Sequence, residues 1–121
     1  KDGLIINVSS WSGNHVSLLS GVTYTSSKHA LNAMTETINM KYCNVGIRAC
    51  ALCPGEVATD ILDKRPKKLS LEQKKKMLQP DDLGETIAFL CQMPKHVCIN
   101  ELTISPTWHR RYIADLGIEE L

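Results

Sequence analysis

Short, almost unbroken apolar runs alternate along this chain with longer stretches of helical period. Leu4 to Ser9 (Leu-Ile-Ile-Asn-Val-Ser) is short and β-branched, which suits a parallel strand buried on both faces better than an alternating, half-exposed one. Residues 10–22 are rich in Ser and Gly and predict a loop. From about Thr23 to Cys43, Ala30, Leu31, Ala33, Met34, Thr37 and Ile38 recur at three-and-four spacing, while Glu36, Asn39 and Lys41 fall largely elsewhere. That predicts a helix with its apolar stripe on those six residues, terminated near Asn44 and Gly46. Ile47 to Cys53 is a second buried strand, stopped by Pro54-Gly55.

Residues 56–79 change character, with few large apolar groups and many lysines, and predict a solvated, mobile connection. Pro80-Asp81-Asp82 then opens a helix, with Pro and acids in its first turn. Leu83, Ile87, Ala88, Leu90 and Cys91 supply its apolar face, and Pro94 ends it. Residues 97–104 read as a third strand, and 107–121 as an amphipathic tail of unassigned conformation. Strand, helix, strand at these lengths is a βαβ unit, with a right-handed crossover expected.

Composition narrows the class. The chain has 121 residues, 43% hydrophobic and 22% charged, with net charge +1, enough for one modest globular domain. That balance gives no general attraction to nucleic acid or anionic membrane, and no apolar run reaches the length of a membrane span. Between Lys64 and Lys76 there are seven Lys/Arg against one Glu. Without interleaved aromatics, a solvated segment is the better reading than a nucleic-acid patch. The chain starts with Lys1-Asp2-Gly3 directly before a buried strand, and is expected to be a piece of a longer protein.

Five cysteines without a secretory signal point to free thiols in a reducing, cytoplasmic setting. Cys50 and Cys53 form a C-x-x-C, but on a strand residues three apart face opposite ways. With no second ligand pair, buried packing thiols are expected rather than a metal or redox site. The Asn7-Val8-Ser9 sequon is discounted because it sits in a buried strand.

The candidate chemistry gathers at strand ends. Ligands of open parallel α/β sheets bind outside the carboxyl ends of the strands. Ser10 falls at the end of the first strand, Pro54 to Thr59 at the end of the second, and Tyr24 and Lys28 in the first turns of the helix leaving that edge. A phenol and an ammonium four residues apart share a helix face. A free phenol, with a pKa of about 10, is a poor base at neutral pH, and a nearby ammonium favours its ionised form. A serine hydroxyl can hold a substrate oxygen against the phenol. Hydride must come from a cofactor, because no side chain supplies it.

Gly3-x-Ile5-x-Asn7-x-Ser9-Ser10-x-x-Gly13, Tyr24-x-x-x-Lys28-x-Ala30, Gly46-Ile47-Arg48 and Pro54-Gly55-x-Val57-x-Thr59, in that order, resemble the second half of a short-chain dehydrogenase/reductase. The resemblance covers about residues 3–104. It implies an α/β chain with a partial Rossmann-type fold, the last three strands of a parallel sheet with covering helices. Residues 1–121 would be the C-terminal part of one NAD(P)-binding domain, with a substrate lid at about 60–79. The implied activity is NAD(P)-dependent interconversion of an alcohol and a carbonyl, with a weak preference for NADP.

Position by position, the resemblance makes Tyr24 the general acid/base. Lys28 would favour the phenolate and bind the nicotinamide ribose hydroxyls, and Ser10 would orient the substrate oxygen. Pro54, Gly55, Val57 and Thr59 would hold the nicotinamide end, with Tyr24 and Lys28 also touching cofactor. Trp11, Ser12, His15 and Val16 would line the substrate pocket. Because the loop before Tyr24 is longer than usual, Ser12 stands as an alternative to Ser10. A homodimer or homotetramer is implied for the full-length protein, through the helix at 23–43. The family's Thr-Gly-x-x-x-Gly-x-Gly turn and Asn-Asn-Ala-Gly segment are absent from this chain. The chain alone is therefore expected to bind cofactor poorly, and the second reading is a non-catalytic interaction module.

Overall fold

The computed structural model describes residues 1–118. Three parallel strands, β1 (Gly3–Val8), β2 (Ile47–Pro54) and β3 (Glu101–Ile104), form one sheet in the order β1-β2-β3. Register runs Gly3 to Ile47 through Val8 to Leu52, and Ala51 to Glu101 through Pro54 to Ile104. Central β2 carries the core, with Ala49, Cys50, Ala51, Leu52 and Cys53 all buried. A strand covered on both faces has no polar side to alternate.

Helix α1 (Val22–Tyr42) joins β1 to β2, α2 (Leu71–Lys75) and α3 (Pro80–Gln92) lie between β2 and β3, and α4 (Arg110–Asp115) follows β3. The start of α3 is set as its sequence suggests: Pro80 occupies the first turn, and Gln79 and Asp82 cap each other reciprocally. Gly46, at φ +79°, turns the chain from the end of α1 into β2.

Five expectations need correcting. Strand β1 is not buried on both faces, since Ile5 and Val8 are exposed. The apolar face read for α3 is only partly buried, with Ala88 and Cys91 exposed. The stripe on α1 is not the buried one, since Ala30, Ala33, Met34 and Thr37 are exposed and Leu31 and Ile38 only half-buried. The sheet-facing row is polar instead: Thr25 and Thr35 are buried, with Lys28, Asn32 and Asn39 beside them. These side chains reach the sheet through hydrogen bonds. Asn7 Nδ2 donates to Thr35 Oγ1 at 2.9 Å, and Asn39 pairs with both the N–H and the C=O of Ala49, at 2.6 and 2.8 Å.

The third strand is shorter than 97–104. The Arg48 guanidinium takes the carbonyls of Met93, Pro94 and Val97, which holds the chain after α3 in an irregular path before the ladder begins. Residues 56–79 are also more ordered than a bare connection. They hold a 3₁₀ turn at Asp60–Lys64, α2, and a parallel bridge between Val57 and Leu78, with Leu62, Met77 and Leu78 buried. Within the tail, α4 forms and buries Ile113, while residues 119–121 lie outside the described part.

Candidate active site

All three strands present their carboxyl ends on one edge. The Ser9 N–H donates to Leu52 C=O and the Gly55 N–H to Ile104 C=O, each at 2.7 Å, so the loops after β1, β2 and β3 leave side by side. Ser10 caps a 3₁₀ turn at Trp11–Gly13, its Oγ accepting the Ser12 N–H at 3.1 Å. Accepting uses a lone pair and leaves the Ser10 hydroxyl hydrogen available to donate. Ser12 is differently placed: its Oγ pairs with Ser20 Oγ at 2.8 Å, and Ser20 also meets Ser17. The geometry thus separates the two serines, with Ser12 tied into the loop and Ser10 at the strand end.

Tyr24 and Lys28 sit one turn apart at the start of α1, behind Gly21 at φ +75°. Lys28 Nζ lies 5.6 Å from the Tyr24 ring centroid and donates to the Val8 carbonyl at 3.1 Å. The ammonium is thereby fixed between the last residue of β1 and the phenol. Ser9 Oγ donates to the Lys28 carbonyl at 3.3 Å, locking that turn of α1 to the strand that delivers Ser10. Tyr24 is 46% exposed, open to a reactant from outside.

A polar network supports this arrangement, and hydrophobic periodicity gave no sign of it. Asn32 Nδ2 donates to Asn14 Oδ1 at 3.2 Å, Asn14 bonds Glu101, and both amides contact Cys53 Sγ. Gly13 lies against it, where a Cβ would fall 2.6 Å from Asn32 Nδ2 and 2.7 Å from Ser9 Oγ. Only glycine lets the Ser10 turn approach α1 this closely.

The Pro54–Thr59 loop leaves β2 beside these groups. Its bridge to Leu78 runs through the Glu56 C=O and the Ala58 N–H, at 3.1 and 2.8 Å, and so leaves Val57's own amide out of the pairing. Thr59 is exposed. At Gly55 a Cβ would meet Pro106 and Ser105 at 3.2 Å, so the loop packs closely on the end of β3. A backbone amide, a threonine hydroxyl and a tight glycine turn fit the nicotinamide end of a dinucleotide. A groove of about 730 Å³ lies farther round, between Lys76–Leu78, the start of α3 and Ile104–Trp108. Ser10, Tyr24 and Lys28 do not line it.

Of the expected pocket residues, Val16 is exposed, while Trp11 and His15 stack on each other with centroids 4.2 Å apart. The sequence reading missed what meets them from the other side. His109 lies 4.6 Å and Tyr112 6.1 Å from the Trp11 ring, and these two stack at 4.2 Å. Burial holds the His109 imidazole below its usual pKa, against the opposing pull of Glu56. Glu56, inside the Pro54–Thr59 loop, pairs with Arg110 at 3.0 Å and Arg65 at 3.5 Å. The available signal was the density of rings and cations in Trp108-His109-Arg110-Arg111-Tyr112 just after a strand end.

No described helix is long and apolar enough to cross a membrane. Cys50 and Cys53 are buried free thiols, and burial pushes Cys50 up to about 11 and raises Cys53.

Comparison with known proteins identifies the family. A human protein named dehydrogenase/reductase SDR family member 11 is 35% identical over 115 residues, which cover 88% of this chain and 44% of the relative. An alcohol dehydrogenase from the archaeon Thermococcus sibiricus, solved with 5-hydroxy-NADP, superposes with a TM-score of 0.72 at 27% identity, covering 88% of this chain and 43% of that one. A β-ketoacyl-[ACP] reductase from Bacteroides thetaiotaomicron gives 0.68 at 31%, covering 93% and 43%. The chain thus spans less than half the length of these relatives. A profile of the short chain dehydrogenase family matches residues 1–70, and with the parallel sheet and the strand-edge cluster this establishes that the chain belongs to that family.

Proposed function

We propose that the full-length protein carrying this chain is an NAD(P)-dependent oxidoreductase that interconverts an alcohol and a carbonyl, with Tyr24 as general acid/base. The observation that carries the proposal is the placement of Lys28 Nζ between the Val8 carbonyl and the Tyr24 ring, on the sheet edge that also presents Ser10. In the reducing direction Ser10 donates its hydroxyl hydrogen to the carbonyl oxygen, and Tyr24 gives that oxygen its phenolic proton. The Lys28 ammonium stabilises the negative charge then left on the phenol. In oxidation Tyr24 takes the proton back. Pro54, Gly55, Val57 and Thr59 would hold a nicotinamide cofactor, through the Val57 amide and the Thr59 hydroxyl, with Lys28 reaching its ribose. When bound there, the cofactor supplies or accepts the hydride.

Similar structures solved with an NADP derivative and with NADH support a nicotinamide cofactor, of which we take NADP as the working form. Met34 and Met40, exposed on the outer face of α1, support a homodimer or homotetramer built through that helix. The five free cysteines suit a cytoplasmic location. The same exposed α1 face favours the second reading, a non-catalytic interaction module.

Substituting Tyr24→Phe in the full-length protein decides between them. Turnover of NAD(P)H with carbonyl substrates should fall at least about 100-fold, with cofactor affinity unchanged by isothermal titration. Wild-type turnover in the variant would overturn the assignment.

A further inference from the structure

The segment following β3 reaches every loop around the proposed reaction crevice. Lys76, just after α2, lies over the Trp108 ring at 4.1 Å. Arg110 pairs with Glu56 of the Pro54–Thr59 loop at 3.0 Å. His109 and Tyr112 pack on Trp11, the residue directly after Ser10. One short stretch is therefore fastened to the lid, the cofactor loop and the substrate turn together. The ring cluster is not sealed into a core, because Tyr112 is 50% exposed and Trp11 only half-buried.

We propose that Trp11, His15, His109 and Tyr112 form an aromatic wall beside the Ser10 hydroxyl, and that the wall makes the enzyme selective for carbonyls and alcohols bearing a flat ring next to the reacting carbon. The proposal rests on the alcohol/carbonyl reading above. Rings prefer offset or edge-on neighbours at centroid distances of about 4.5–7 Å. The open side of the cluster offers such contacts to a planar substituent whose oxygen is held at Ser10. An aliphatic substituent of the same substrate gains only ordinary burial there. Tyr112 is a specificity-determining residue in this scheme and takes no part in proton transfer.

Acetophenone and cyclohexyl methyl ketone differ by a flat phenyl in place of a puckered cyclohexyl of about the same size, so their ratio of kcat/KM in the full-length protein isolates the ring. The wild type should favour acetophenone by about tenfold or more, a preference within reach of one well-filled pocket. Tyr112→Ala should lower that ratio about tenfold, chiefly through the KM for acetophenone, and Tyr112→Phe should restore it. A wild type that turns over both ketones without preferring the ring overturns the proposal, as does a Tyr112→Ala ratio within about twofold of wild type. The wild-type ratio needs no variant, so it decides even where Tyr112→Ala fails to fold. Turnover of other carbonyls but of neither ketone would overturn this inference alone, whereas no turnover of any carbonyl or alcohol with NAD or NADP would overturn the oxidoreductase reading on which it rests.

Discussion

Burial divides the cysteines into two chemical classes. Cys43 and Cys91 are exposed, while Cys50 and Cys53 lie inside β2. Burial raises Cys50 to about 11, with smaller contributions from Cys98, Cys53 and Glu101. The thiolate is the nucleophile. At pH 8 its fraction at Cys50 is on the order of one in a thousand, by the tenfold-per-unit rule. Iodoacetamide at pH 8 should therefore label Cys43 and Cys91 and spare Cys50 and Cys53, as read by peptide mass spectrometry. Reactivity at Cys50 should rise only as pH approaches 11; rapid labelling at pH 8 would contradict its burial. The buried pair was legible in the sequence, because C-x-x-C within an apolar run has no exposed face, whereas Cys91, read as part of the apolar face of α3, is exposed. Tyr24, Lys28 and Ser10 were legible for another reason, since each chemical type sits where a strand or helix end must fall. The Asn14–Asn32–Glu101 network was not. Its members are far apart in sequence, and each alone reads as an ordinary loop or helix polar residue.

Periodicity located every long element to within a residue or two but chose the wrong face of α1. Hydropathy scores Thr35, Asn32 and Asn39 as outward-facing, yet their hydrogen bonds to Asn7, Asn14 and the Ala49 backbone bring them onto the sheet. Such groups are buried at little cost when paired. The 56–79 segment shows a similar blind spot. Its lysines dominate the sequence, but one leucine anchors it: Leu62 is 2% exposed within the Asp60–Lys64 turn. Ion pairs help from outside, and Lys74, hydrogen-bonded to Asp63 at 2.6 Å, holds that carboxyl below its usual pKa. Leu62→Ala should destabilise the protein by about 2–5 kcal/mol in urea unfolding, the usual range for emptying a leucine site. Trypsin should also cut the 64–76 lysines faster under native conditions, because local opening becomes easier. Unchanged cutting would mean that the segment is held by its ion pairs rather than by Leu62.

On the scale of the whole molecule, the parallel sheet was legible because its apolar runs are short and separated by segments of helical period. The contribution of α4 was not, since six helical residues after a strand carry too little period to predict a docked helix. Two of the apolar surfaces that the described fold leaves exposed belong to regular elements and could bring copies of this chain together. One is β1, an edge strand with Ile5 40% and Val8 52% exposed. The other is the outer face of α1, with Met34 and Met40. They differ physically. An edge strand offers unpaired N–H and C=O groups as well as side chains, and where β1 pairs with the opposite edge, β3, of another copy the contact is heterologous and does not close. A helix face makes an isologous contact that closes at two. The 121-residue chain alone should therefore associate through β1 into species without a fixed size, visible as a concentration-dependent spread in sedimentation velocity. Ile5→Lys, which places a charge on that edge, should collapse the spread toward a single small species, whereas Met34→Lys should leave it. Should Met34→Lys remove the association and Ile5→Lys not, the helix face is the one that brings copies together.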